Sequence, residues 1–322
     1  EMYWIETDWL REVFGQYGTD IVADANLRYD QFVERKNHQD DRFFTTGFKE
    51  LDDLMRLQRE EELMVIFART NQGKSWVLEK ICAHIWEIGF NVGYISPEMS
   101  ANSIGYRFDT LLKNFSNRGL MYGKSDIDET EYKDYIDSLN GKKFVVSVPN
   151  EFNRHITVSK LRQYIKKYNL DILAIDGITY LSDERGKKND NKTTSLTNIS
   201  EDLMSLSMEM HVPIIVVVQA NRGGAVDNDS DDTPELENIR DSDGIAHNAS
   251  NVLSVKLKDN ILTMCIKKQR FGKIGGKLKY TWDIDTGTFE WIPSLDDAMP
   301  SSVRENKIVD IKSKFKDKTD IF

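Results

Sequence analysis

A short segment combines a lysine and a hydroxyl side chain at the spacing that could bind nucleotide phosphates. It follows an apolar run at residues 63–67 and opens a helical pattern at residues 75–88. In that setting the main-chain amides and the helix N-terminus point at phosphate oxygens. The lysine would reach the β- and γ-phosphates, and the hydroxyl would bind Mg²⁺. An ordinary strand–helix turn with an exposed lysine is the alternative. The segment consists of Ala68, Arg69, Thr70, Asn71, Gln72, Gly73, Lys74 and Ser75.

Two carboxylates that follow other apolar runs could complete this chemistry. Asp176 ends the run at residues 170–175, where it would hold Mg²⁺ directly or through water. Glu98 comes just after the run at residues 92–96 and could deprotonate the attacking water as a general base. The alternatives are a loop aspartate and a solvated glutamate that opens a helix.

Strand and helix patterns alternate from Thr45 to Trp291, which predicts an α/β fold with a doubly wound, mostly parallel sheet. The carboxyl ends of parallel strands gather at one edge, so the segment, Glu98 and Asp176 can converge there. Two later patterns with central turn signals predict antiparallel hairpins added on the C-terminal side. The predicted strands are residues 63–67, 92–96, 144–148, 170–175 and 213–218, the hairpins 251–257 with 262–268 and 279–284 with 288–291, and the helices 75–88, 104–115, 158–168 and 195–209.

Composition and charge exclude several classes of protein. Of the 322 residues, 39% are hydrophobic, which suffices for a packed core. The net charge of −10 has the wrong sign for a protein that coats nucleic acid with its whole surface, so any such contact must be local. Cys82 and Cys265 cannot form a disulfide scaffold or a four-ligand zinc site. No apolar run approaches a bilayer span, so we expect a soluble, cytoplasmic protein with no membrane partner.

The chain is expected to have three parts. Residues 1–43 are polar and aromatic, with helical stretches near residues 9–17 and 27–36, and are interpreted as an N-terminal arm or linker helix. Residues 44–293 form the α/β domain. Residues 294–322, which contain prolines, serines and lysines, form a mobile C-terminal tail.

Six segments, in order along the chain, resemble motifs of the DnaB-type replicative helicases. The phosphate-binding segment is similar to that family's, which tolerates alanine at the position of Ala68, where P-loops generally have glycine. Residues 95–100 resemble its Ser-Leu-Glu-Met motif. The other four are residues 45–52 at the entry to the ATPase domain, 217–222 like its Gln-x-Asn-Arg motif, 239–245 like its Leu-Arg-Glu-Ser-Gly segment and 268–272 like its Lys-Gln-Arg-x-Gly finger.

The resemblance implies a RecA-like P-loop NTPase domain that assembles into a homo-oligomeric ring, usually a hexamer, with ATP and Mg²⁺ at each interface. Lys74 and Ser75 would then hold phosphate and metal, and Asp176 would support the metal. Glu98 would activate water, and Gln219 would sense the γ-phosphate.

The same resemblance gives Lys268 and Arg270 a catalytic role in the neighbouring subunit's site. They would stabilise charge in the transition state as a finger in trans, an effect of about 10³–10⁵ in turnover in enzymes of this kind. A basic strand end that faces solvent is the alternative.

Contact with single-stranded DNA would come from loops that line the ring's channel. The resemblance assigns phosphate contact to Arg240 and its neighbours, although aspartate replaces the family's glycine at position 243. A basic run at residues 185–192 is a second loop, with a solvated loop as its alternative. Binding should be independent of sequence and sensitive to salt. The predicted DNA-binding residues are Arg240, Asp241, Asp243, Gly244, Lys187 and Lys188.

The leading hypothesis is a hexameric, ATP-driven helicase that translocates on single-stranded DNA and unwinds duplex at replication forks. Primase and a helicase loader are its expected partners. Only about 43 residues precede the ATPase core, whereas family members carry a separate helical domain there. That organisation would suit a phage-encoded helicase in the host cytoplasm. The alternatives are a RecA-like, filament-forming recombinase and a non-enzymatic loader or scaffold subunit.

Overall fold

The structure, a computed structural model, describes residues 21–37, 42–124, 127–186, 191–221, 233–239, 243–270 and 272–293. The chain divides into two units, Glu1–Phe43 and Phe44–Phe322. In the first unit, helix α1 spans Ala25–Asn37 and includes the helical stretch predicted near residues 27–36. The stretch predicted near residues 9–17 and the tail at residues 294–322 lie outside the described residues.

The strands follow the apolar runs of the sequence, because branched and aromatic side chains suit a buried, pleated surface. Their bounds are β1 Phe43–Phe44, β2 Leu57–Gln58, β3 Leu63–Ala68, β4 Val92–Ile95, β5 Phe144–Ser147, β6 Ile172–Ile175, β7 Ile214–Gln219, β8 Asn251–Lys258, β9 Ile261–Gln269, β10 Lys277–Asp283 and β11 Thr288–Ile292.

Strands β3 to β11 form one nine-stranded sheet, in the order β11-β10-β9-β8-β3-β7-β6-β4-β5. The pairs from β8 through β3, β7, β6 and β4 to β5 are all parallel. Strands β9, β10 and β11 extend the sheet as antiparallel neighbours. This topology confirms the predicted α/β fold class, a mostly parallel sheet with antiparallel hairpins added on its C-terminal side.

Capping residues set several helix boundaries in the second unit. Ser100 accepts a hydrogen bond from the amide of Ser103, so the helix predicted from residue 104 begins earlier. Thr157 caps its helix as expected, and Asp128 caps one that the sequence did not predict. The helices are α2 Lys49–Asp52, α3 Lys74–Glu87, α4 Ala101–Lys113, α5 Asn117–Tyr122, α6 Glu129–Ser138, α7 Val158–Tyr168, α8 Lys192–Met210 and α9 Asp243–Asn248.

Strand β3 lies between two hydrophobic layers, one on each face of the sheet. Its alternate residues face opposite sides of the sheet, as the pleat requires. Met64 and Ile66 pack in one layer with side chains of α3 and α4, and Val65 and Phe67 pack in the other with side chains of α7 and α8. Full burial of each such side chain contributes about 1.5–3 kcal/mol. The ends of β3 are therefore held firmly from both faces.

No helix in the described part of the chain is long and apolar enough to cross a membrane.

Candidate nucleotide-binding site

The phosphate-binding segment forms the loop between β3 and α3. Asn71 and Gly73 adopt left-handed backbone angles, with φ of 57° and 81°. A Cβ added at Gly73 would lie 2.9 Å from a ring carbon of Trp282, so glycine is required there by both conformation and space. The side chain of Gln72 fixes the loop to β8, because its Oε1 accepts a 2.7 Å hydrogen bond from the amide of Leu257.

The predicted phosphate and metal ligands lie at the start of α3 and the end of β6. The Nζ of Lys74 donates to the main-chain oxygen of Arg69 at 2.6 Å. The Oγ of Ser75 donates to Oδ1 of Asp176 at 2.9 Å, and the hydroxyl of Tyr94 donates to Oδ2 at 3.3 Å. Burial raises the pKa of Asp176, against the opposing effect of the bond from Ser75, and burial lowers the pKa of Lys74.

A magnesium ion fits this pair of oxygen ligands. Mg²⁺ prefers oxygen and usually takes one or two protein ligands, completing its shell with water and substrate phosphates. The Ser75 hydroxyl and the Asp176 carboxylate are such ligands and already lie within hydrogen-bonding distance of each other. Within the described residues no group of three histidine, cysteine or acidic side chains could hold a metal by itself.

The predicted base and sensor are held by partners of their own. Glu98 accepts a 2.7 Å hydrogen bond at Oε1 from the hydroxyl of Tyr180. At the end of β7, the Nε2 of Gln219 donates to the Oγ1 of Thr70 at 2.5 Å. Both residues face the same space as the phosphate loop.

These groups line one open cavity of about 490 Å³ at the carboxyl edge of the parallel strands. The structure thus brings together most of the predicted nucleotide residues, as expected for this edge of a doubly wound sheet. Ala68 and Arg69 are not among the lining residues: Ala68 is fully buried as the last residue of β3, and Arg69 accepts the bond from Lys74 at its main-chain oxygen. The predicted residues that line the cavity are Thr70, Asn71, Gln72, Gly73, Lys74, Ser75, Glu98, Asp176 and Gln219.

The cavity also contains residues that the sequence did not indicate. Arg107 of α4 lies over the ring of Trp76, with its guanidinium carbon 4.6 Å from the ring centre. Its NH1 is 3.7 Å from the buried carboxylate of Glu79. Trp282 of β10 closes another side of the cavity. The position of Arg107 on the helix that follows Glu98 could have suggested from the sequence that it lies near the site. No local pattern in the sequence indicated that Trp282 does so.

Lys268 and Arg270 do not line this cavity. Gln269 pairs with Asn251 at the start of β8, and Asn251 pairs with Met64 near the start of β3. The phosphate loop follows the other end of β3, which is about 13 Å from Met64 at 3.3 Å per residue. Within one chain, therefore, the phosphate loop lies at the carboxyl ends of the parallel strands and the finger lies at their amino ends. These two ends are called the carboxyl edge and the finger edge of the sheet below.

Lys268 is bound at its own edge. Its Nζ donates to the main-chain oxygens of Ala246 and His247, at 2.8 and 2.7 Å, near the end of α9. Burial lowers the pKa of Lys268, and the neighbouring charge of Arg270 lowers it further. Arg270 itself is exposed.

The predicted DNA-binding residues are described only in part. Arg240, Asp241, Lys187 and Lys188 lie outside the described residues. The sequence prediction placed Asp243 and Gly244 in a loop, but they are the first residues of α9. A Cβ added at Gly244 would approach the Oγ1 of Thr197 in α8 to 2.3 Å, so glycine permits the close contact of these helices.

Comparisons with known proteins identify the family of this chain. A sequence model of the DnaB-like helicase C terminal domain matches residues 44–290. A probable plasmid replicative DNA helicase of Chlamydia trachomatis is 24% identical over 267 residues, which are 82% of this chain and 58% of that relative. The chain thus spans a little over half the length of this relative.

Two solved structures share the fold. An ATPase domain matches with a TM-score of 0.70 and 20% identity, over 86% of this chain and 100% of that chain. A DnaB-like replicative helicase, solved in a study of its interactions with primase, matches with a TM-score of 0.66 and 20% identity, over 85% of this chain and 67% of that chain. These matches confirm the predicted RecA-like type of α/β fold.

Proposed function

Because this chain belongs to the DnaB-like helicase C-terminal domain family, we propose that it is the ATPase domain of a replicative DNA helicase. In this proposal it assembles into a hexameric ring, hydrolyses ATP with Mg²⁺ at the subunit interfaces, translocates on single-stranded DNA and unwinds duplex at replication forks. The observation that supports it most directly is the placement of the nucleotide loop and the finger at opposite edges of one sheet.

The nucleotide edge supplies what hydrolysis requires from one chain. Lys74 moves from the Arg69 carbonyl to the β- and γ-phosphates, and Ser75 and Asp176 hold the metal. The metal neutralises developing charge when bound. Glu98, oriented by the Tyr180 hydroxyl, takes the proton of the attacking water.

The remaining charge compensation comes from a second copy. About 13 Å of strand separates the finger edge from its own phosphate loop, so Arg270 acts on the neighbour's γ-phosphate. We assign Lys268 to the same finger, released from the carbonyls of Ala246 and His247 when the interface forms. Gln219 lies at the end of β7 and is hydrogen-bonded to Thr70 in the phosphate loop. In this position it would sense whether the γ-phosphate is present.

The remaining assignments complete the proposal. Residues 1–43 serve as the linker arm, 44–293 as the ATPase domain and 294–322 as the tail, in a protein of the cytoplasm. In this proposal the DNA strand is contacted by residues 239–245 and by the basic run at residues 185–192. Primase is proposed as a partner because one structurally similar helicase was described together with its interactions with primase. A loader is a second proposed partner. The predicted DNA contacts are Arg240, Asp241, Asp243, Gly244, Lys187 and Lys188.

Mixing two inactive variants tests the shared site. We expect Lys74→Ala and Arg270→Ala each to lose turnover, the latter by about 10³-fold or more. A one-to-one mixture should recover part of the rate, because some interfaces then join an intact loop to an intact finger. DNA-stimulated ATP hydrolysis is the measurement, and Lys113→Ala, at an exposed helix end, is the control.

Two outcomes would contradict the proposal. A mixture as inactive as its components would place the finger elsewhere, and full turnover by Arg270→Ala would remove its catalytic role. Electron microscopy with nucleotide and single-stranded DNA adds a separate test, because open filaments instead of closed rings would favour the recombinase alternative.

A further inference from the structure

A buried carboxylate lies at the finger edge of the sheet, just before β3. The side chain of Glu62 is 2% exposed. Its Oε2 accepts a 2.6 Å hydrogen bond from the amide of Gln58, and its Oε1 accepts one from the side-chain amide of Asn251. Its main-chain amide and carbonyl both bond to the hydroxyl of Ser207 in α8, at 2.8 and 3.0 Å. The carboxylate therefore has a fixed position and orientation.

This carboxylate is linked to the finger through one strand pair. Asn251, which donates to Glu62, is the partner of Gln269 at the end of β9, and Arg270 follows directly. Burial raises the pKa of Glu62 to about 8, and the positive charge of Arg270 lowers it. The guanidinium is thus within electrostatic reach of the carboxylate.

The other groups that face Glu62 do not titrate in this range. They are the amide of Gln58 at the end of β2, the side chain of Asn251 from β8 and the hydroxyl of Ser207 from α8. The charge of Arg270 also acts on this carboxylate and lowers its pKa, less than the hydrogen bonds from Gln58 and Asn251 do.

We propose that Glu62 is a positioning residue for the Arg270 finger. Its bond to Asn251 sets the end of β9 from which the finger projects, and its charge, when the carboxyl group is ionised, attracts the guanidinium. The proposal rests on the proposed function, because a finger needs a neighbouring site. It also gives β3 a double role, since the strand carries the chain's own phosphate loop at one end and, at the other, the support of the finger that this chain extends to its neighbour's site.

Glu62→Gln tests this role, because it keeps the side chain's shape and removes its charge. We expect kcat for DNA-stimulated ATP hydrolysis to fall about 10- to 100-fold, as for other displaced catalytic groups. KM for ATP should not change, because the phosphate loop lies at the other edge. The wild-type rate should rise with pH through about 8, as Glu62 ionises, and this rise should be absent from Glu62→Gln.

A double variant separates positioning from a general structural role. In an Arg270→Ala background, Glu62→Gln should cause no further loss, since both act through one group. Asp109→Asn is the matched control, because Asp109 is also buried and accepts hydrogen bonds, here from Tyr132 and Tyr135, without a link to the finger. Its kcat and pH profile should match wild type.

Several results would overturn the proposal. They are an unchanged kcat in Glu62→Gln, an additive loss in the double variant, or the same pH profile in Glu62→Gln and wild type. If Glu62→Gln does not fold, a wild-type rate that is flat or falls with pH near 8 overturns it equally. Full activity in Arg270→Ala would instead refute the proposed function, so the two failures are distinguishable.

Discussion

The carboxyl edge and the finger edge of the nine-stranded sheet differ in how many of the proposed catalytic groups each one contains. At the carboxyl edge, the groups bond to one another, with Ser75 donating to Asp176 and Gln219 donating to Thr70. At the opposite edge, Lys268 binds main-chain carbonyls, and exposed Arg270 lies near the buried Glu62.

This difference shows what one chain can organise alone. The phosphate loop, Ser75, Asp176 and Glu98 are brought together by the folding of a single sheet, without a contribution from a second chain. The finger edge is also anchored from within, but under the proposed function its cations act only when another copy brings phosphates to them. Variants at the two edges should therefore behave differently when they are mixed.

The largest expected effect is at the carboxyl edge. Glu98→Gln should lower turnover about 10²–10⁴-fold, because the amide cannot take the proton of the attacking water. Nucleotide affinity, measured with a fluorescent analogue, should be retained. Mixing with Arg270→Ala should restore turnover, whereas mixing with Lys74→Ala should not, since both changes then disable the same edge.

The control for that experiment is Glu131→Gln, which removes an exposed carboxylate on α6. Its turnover should equal that of wild type. Recovery in the mixture of Glu98→Gln and Lys74→Ala would contradict the division of the site between two edges.

A smaller effect concerns stability at the finger edge. The pKa of Glu62 rises from 4.5 to about 8 on folding, so its contribution to stability is present below pH 4.5 and lost as pH rises through 8. We expect the Tm of Glu62→Gln, relative to wild type, to rise by several degrees between pH 5 and pH 8.5. Near pH 5 it should lie below that of wild type, because the glutamine NH2 cannot accept one of the two hydrogen bonds that the carboxyl oxygens accept. Between pH 4.5 and pH 8, the free energy of unfolding of wild type should fall by about 1.4 kcal/mol for each pH unit because of this group.

Thermal melts from pH 5 to 9 measure this linkage, with Asp53→Asn, an exposed carboxylate, as the control. If Glu62→Gln is more stable at high pH but hydrolyses ATP more slowly, the loss of activity comes from the position of the finger and not from a loss of packing. A constant difference in Tm across the range would show that Glu62 is not a buried titrating group.

The smallest effect is expected at a supporting hydrogen bond of the carboxyl edge. Tyr180→Phe removes the donor to Glu98 and should lower kcat only a few-fold, because Tyr180 is 44% exposed and such bonds contribute about 0.5 kcal/mol at their weakest. The bond to Glu98 raises the pKa of Tyr180 to about 12, so the hydroxyl remains a donor at neutral pH. A hundred-fold loss in steady-state kcat would instead give Tyr180 a direct part in the chemistry.

The chemistry of the phosphate loop could be predicted because its residues are contiguous. Lys74 and Ser75 follow Gly73 directly, and a strand and a helix flank them, so local pattern contains the whole signal. The parallel sheet and the C-terminal hairpins were predictable for a similar reason, because apolar runs and turn signals alternate along the chain. Short helices such as α5 contain too few apolar residues to show a period.

The supporting residues could not be predicted, because they depend on which strands become neighbours. Tyr94 reaches Asp176 only because β4 pairs with β6 in the sheet. Glu62 is the last of three consecutive glutamates, and nothing local distinguishes it from Glu60 and Glu61. Burial and the contact with Asn251 make that distinction. The DNA-binding assignments stay predictions.

The contact between Gly73 and Trp282 bears on how this domain can be shortened. A fragment that stops after β8 would retain every phosphate, metal and water-activating group, and would look complete by its motifs. It would lack the indole against which the loop's tightest turn rests. Anyone who designs a minimal ATPase from this scaffold must therefore keep the chain through β10, although that strand supplies no reactive side chain.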